Sequence, residues 1–123
     1  MIAYILLGGV AGTLARYYLQ GWIQDRAGSF FPLGTLVINV SGSLVLGFII
    51  RYATGSTTFS PETRAGLTIG FCGAFTTMST FAYESFGLLG EGAYLRAALY
   101  MTGTIVGCVG AVLAGTALAG KLL

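Results

Sequence analysis

Four apolar stretches, each close to the length of a membrane crossing and nearly free of charge, run through this sequence. A helix needs about 20 apolar residues to cross the hydrocarbon core of a bilayer. Inside lipid, only helices and closed barrels satisfy their own backbone polar groups. The first stretch covers 2–23, interrupted only by Arg16 and closed by Gln24, Asp25 and Arg26. The others cover 33–52, 62–89 and 91–118, and Lys121 lies beyond the last. Ser60 and Pro61 read as the N-cap and first turn of the third helix. The stretch from Ile2 lacks a basic leader and a cleavage site, so it reads as the first crossing and not as a signal peptide. The expected fold is an all-α integral membrane protein: one domain over 1–123, four transmembrane helices, both termini on one side. Its expected location is the cell membrane (plasma or inner), as a multi-pass protein.

Charge supports the same reading and removes others. Only 8% of the 123 residues are charged, whereas a soluble domain carries about 25%. A net charge of +2 gives no reason to expect a nucleic-acid partner. With no histidine in the chain, a histidine metal site or a catalytic triad is excluded. There is no phosphate-binding glycine loop with its lysine and no pair of carboxylates within a helix, so an enzyme is not expected. Cys72 and Cys108 lie in apolar segments and read as free thiols. The 20 glycines are spread through the apolar segments, where they let backbones approach closely. Gly8-xxx-Gly12 and Gly103-xxx-Gly107 have helix-packing spacing. Arg51, Arg64 and Lys121 fall on the side of the termini, and Arg26, Arg96 and Arg16 on the other. This balance gives no orientation, so the chain can insert both ways round and two opposed copies could pair about an axis in the membrane plane.

Polar groups at membrane depth are costly and face a partner or a watery path. Thr35, Asn39 and Ser43 recur at four-residue spacing on one face of the second helix. The Asn39 amide can donate two hydrogen bonds to an anion, or it can bond to a neighbouring helix. The third helix holds Thr76, Thr77, Ser79 and Thr80 just after Gly70 and Gly73. β-Branched threonines beside glycines weaken a helix, so a break over Gly73–Thr80 is expected. It would expose carbonyls to a cation and amides to an anion. The alternative is an unbroken helix whose hydroxyls bond back to their own carbonyls. Tyr100, Thr104 and Cys108 form a stripe on the fourth helix that suits either a donor track or packing. Glu84 is the only acid well inside a segment.

The run Gly70-Phe71-Cys72-Gly73-x-x-Thr76-Thr77-x-Ser79-Thr80-Phe81 resembles the signature of the CrcB/Fluc family of fluoride channels. Gly34-Thr35-Leu36-x-x-Asn39-x-x-Gly42 and Gly8-Gly9-x-x-Gly12-x-x-x-Arg16-Tyr17 resemble that family's second- and first-helix motifs. The resemblance implies a fluoride-selective channel built as an antiparallel, dual-topology homodimer with two pores. It also implies a structural sodium ion (Na+) at the dimer interface, held by the backbone carbonyls of Gly73 and Thr76. Asn39, Phe81, Tyr100 and Thr104 match pore positions, and Thr35, Ser79 and Thr80 lie in the same motifs. Arg16 matches a vestibule residue and Glu84 an acid near the path. Met78 stands where the family has a second phenylalanine, and Cys108 where a hydroxyl is expected. Two other readings share the four helices. One is a small dual-topology multidrug transporter, which needs a membrane-embedded acid that the first helix lacks. The other is a non-conducting subunit of a larger membrane complex.

Overall fold

The computed structural model describes residues 1–123. It is all-helical: α1 (Ile2–Ala27), α2 (Leu33–Gly55), α3 (Pro61–Ala65), a π-helical segment (Gly66–Cys72), α4 (Gly73–Phe75), α5 (Met78–Gly90) and α6 (Tyr94–Lys121). Four spans are long and apolar enough to cross a membrane, and the third runs from Pro61 to Gly90 through the interruption at Thr76–Thr77. The chain is a multi-pass membrane protein. Gly55 at the end of α2 lies against Leu123, so the second span ends beside the C-terminus.

Helix ends follow from local chemistry. α1 runs four residues past Ile23, through the polar cluster, and stops where Gly28 turns left-handed at φ 57°. α2 likewise extends beyond Tyr52 to Gly55. Ser60 caps α3, its Oγ accepting from Thr63 N–H at 3.1 Å, with Pro61 in the first turn. The last span begins at Tyr94 and not at Glu91, because a Schellman turn occupies the intervening residues. Gly92 is left-handed at φ 74°, its N–H donates to the Leu89 carbonyl, and Ala93 N–H donates to the Leu88 carbonyl.

Glycine sets the helix contacts. A Cβ on Gly8 would run into the Gly66 carbonyl, and one on Gly12 into the Phe71 carbonyl. Gly66 and Gly70 abut the Tyr4 and Ile5 carbonyls in return, so α1 and the π-helical segment touch backbone to backbone. The second pair behaves differently from expectation. Gly107 meets Val40, but Gly103 faces open space. α2 and α6 instead approach through Gly47 against Val112 and Gly115 against Leu44. Cys72 is buried, Cys108 is half-buried, and both are free.

Candidate functional site at the helix break

The third span is interrupted more narrowly than expected. Only Thr76 (φ −84°, ψ 158°) and Thr77 (φ −149°, ψ 114°) are extended, while Gly70 and Gly73 stay helical. The reason lies in where the amides go. In a continuous α-helix Thr77 N–H would bond to the Gly73 carbonyl and Thr80 N–H to the Thr76 carbonyl. Here Thr77 N–H donates to Asn39 Oδ1 at 2.8 Å, and Thr80 N–H donates to Thr77 Oγ1 at 3.3 Å. The carbonyls of Gly73 and Thr76 thus lose their helical donors. The Ala74 carbonyl, between them, accepts from Arg16 Nε at 3.1 Å. Thr76 turns its hydroxyl back to the Cys72 carbonyl at 3.0 Å. The negative end of the first half-span and the positive end of α5 therefore meet at the same place.

Asn39 grips the break from α2. Its Nδ2 donates to the Thr77 carbonyl at 3.1 Å while its Oδ1 takes the Thr77 amide. Because a backbone N–H can only donate and a carbonyl only accept, this pairing fixes the orientation of the amide. One N–H of Nδ2 is left over. The close approach depends on Gly42, where a Cβ would collide with Thr76.

Beside this clamp lies a cavity of about 410 Å³ lined by Asn39, Ser43, Cys72, Gly73, Thr76, Thr77, Met78, Phe81, Thr104 and Cys108, among others. Ser43 is satisfied, donating to the Asn39 carbonyl at 2.7 Å. Thr104 is not: its hydroxyl is buried and has no hydrogen-bond partner. A helical threonine normally bonds back to its own i−4 carbonyl, and an unpaired buried hydroxyl costs about 1–3 kcal/mol. Phe81 is 8% exposed and Met78 74% exposed, so the phenylalanine is a packed wall of the cavity and the methionine an exposed part of its lining.

The remaining expected residues lie away from this wall. Tyr100 is fully buried, donates to Glu84 Oε1 at 3.1 Å, and packs on Phe81 with ring centroids 5.2 Å apart. Phe81 therefore links the cavity to the Tyr100–Glu84 pair. Thr35 is buried and accepts from Gln20 Nε2 at 2.9 Å. Thr80 accepts from the Thr77 hydroxyl at 3.0 Å, while Ser79 is exposed at 3.5 Å from that hydroxyl. Arg16 reaches the break and does not lie with Arg26 at a membrane surface, which leaves three surface cations against two.

Sequence reasoning passed over Gln20 and Gln24. Gln24 accepts from Gly34 N–H at 3.0 Å and donates to the Ser29 and Phe31 carbonyls, closing the first loop. The signal was available. Arg16, Gln20 and Gln24 recur every four residues, a polar stripe along α1.

Four helical spans, one parted at mid-length beside a cavity, define a small polytopic membrane protein with a discontinuous helix. The sequence pattern of the family described as CrcB-like protein, Camphor Resistance (CrcB), matches residues 3–116, and the chain belongs to that family. It is 43% identical over 121 residues to the fluoride-specific ion channel FluC of Geobacter sulfurreducens, covering 98% of both chains. The proteins of that name from Geotalea daltonii and Chlorobaculum tepidum are 43% and 45% identical, over 88% and 91% of this chain and 87% and 88% of theirs.

Proposed function

We propose that this protein is a fluoride-selective channel, not an enzyme, that lets fluoride leave the cell passively and so relieves its toxicity. Relatives 43% identical over 108 and 121 residues carry the name of fluoride-specific channels. The observation that carries the reading is the cavity at the break, where the Thr104 hydroxyl is held buried without a protein partner. Fluoride is small, strongly hydrated and a strong hydrogen-bond acceptor, so a pore must replace its water with donors. The Thr104 hydroxyl and the spare Asn39 N–H are neutral donors, strong enough to receive the ion and weak enough to release it. The electropositive rim of Phe81 adds an edge contact, and the Met78 thioether shapes the wall without donating. Tyr100 and Glu84 continue the path beyond Phe81, with Thr35, Ser79 and Thr80 bordering it.

The working unit in this reading is an antiparallel, dual-topology homodimer with a sodium ion at the centre of its interface. The donors are of the right kind: the Gly73 and Thr76 carbonyls, freed by redirected amides, are neutral hard oxygens of the sort alkali cations take in channels. No group of three or more His, Cys, Asp or Glu side chains competes for a metal. When bound, the cation would supply positive charge that offsets the cost of an anion in lipid. Gly73 is exposed, and a Cβ there would meet nothing closer than 3.8 Å, so its backbone is accessible to a second copy.

Liposomes loaded with fluoride and given a potassium ionophore test the reading with a fluoride electrode. Rapid passive efflux of fluoride, with chloride retained, is expected. Absence of efflux, or efflux that requires an opposing proton gradient, would refute the channel.

A further inference from the structure

Arg16 is an ionisable residue deep in a membrane-spanning helix, and such residues need a partner close by. Its partner is a backbone oxygen. Nε donates at 3.1 Å to the carbonyl of Ala74, a residue 58 positions away and two residues before the break. In an unbroken helix that carbonyl would take the amide of Met78. The guanidinium stands in for the missing amide at the negative end of the first half-span, where a cation is favoured. Its reach is fixed by the glycine contacts described above, which hold α1 against Gly66, Gly70 and Phe71.

The consequence concerns the neighbouring carbonyls. At this break the amides that would pair with Gly73 and Thr76 are diverted to Asn39 and to the Thr77 hydroxyl. The Phe75 carbonyl loses its helical donor, Ser79 N–H, in the same way. Without Arg16, Ala74 would be one more freed oxygen among them, and the last turn could tilt to expose it. We propose that Arg16 is a positioning residue for the break: by taking the Ala74 carbonyl it withdraws that oxygen and holds the last turn so that those of Gly73 and Thr76 are presented to a cation. The proposal rests on the sodium site of the preceding section. It assigns Arg16 a task separate from any contact with the permeating anion.

Thermal unfolding of the purified protein in detergent, titrated with sodium chloride against choline chloride, separates the possibilities without measuring flux. The wild type should gain stability with sodium along a saturating curve. Arg16→Gln should move the midpoint of that curve to higher sodium by about fivefold or more, the lower end of ordinary coupling between sites. Arg16→Lys, which keeps a charged donor, should recover part of the shift, and it serves alone if the glutamine variant does not fold. A midpoint unchanged in both variants, even with a lower melting temperature, would make Arg16 merely structural and overturn the proposal. A wild type with no sodium response would instead overturn the sodium site itself, and this inference with it.

Discussion

Asn39 places both ends of its amide on one residue of another helix, and Thr104 places its hydroxyl on nothing. These two side chains face the same cavity in opposite states. The Asn39 amide holds the backbone in an extended shape by taking the Thr77 N–H that a continuous helix would give to the Gly73 carbonyl. The unsatisfied hydroxyl is a cost the fold retains. Replacing such a group by an apolar one of the same shape is close to neutral, or even stabilising, when its partner is absent. Thr104→Val should therefore leave the melting temperature unchanged or slightly raised while fluoride efflux from liposomes falls. A variant that loses stability and keeps its flux would place the hydroxyl in packing and remove it from the path.

At the scale of elements, the first and third spans meet backbone to backbone where Gly8 and Gly12 face Gly66 and Phe71. A methyl group on Gly8 has no room, because the Gly66 carbonyl already occupies it. Gly8→Ala should cost about 1–3 kcal/mol, as overpacking does, measurable as a drop in melting temperature. A fully stable variant would mean that α1 sits further from the third span. The spans themselves were legible from hydropathy, because a bilayer demands length and apolarity and little else. The Ser60 cap was legible because its chemistry is local. The break was only half legible. Threonines beside glycine announce a weak helix, but Gly70 and Gly73 remain helical, and the chain parts where Asn39 and Arg16 seize it from 38 and 58 residues away. Local propensity contains no record of partners so distant. The same holds for the glycines: Gly47 and Gly115 carry the α2–α6 contact, while Gly103 in a packing motif faces nothing. Spacing identifies a face of a helix, and only the fold supplies what lies opposite.

For the whole molecule, the cations outside the bilayer number three on the side of the termini (Arg51, Arg64, Lys121) and two on the other (Arg26, Arg96). A difference of one charge gives the insertion machinery almost nothing to act on. A cysteine introduced at exposed Thr57, in the loop after α2, should be labelled by a membrane-impermeant maleimide in about half of the chains in intact cells. Permeabilised cells should label in full. Labelling of all chains or of none in intact cells would establish a single orientation. Both side chains that grip the break, Arg16 and Asn39, come earlier in the chain than the residues they hold. During synthesis the ribosome delivers Ala74 and Thr77 only after α1 and α2 have been made. The residues of the break are thus the last members of each contact to be synthesised, and neither hold on the third span can form before Ala74 and Thr77 exist.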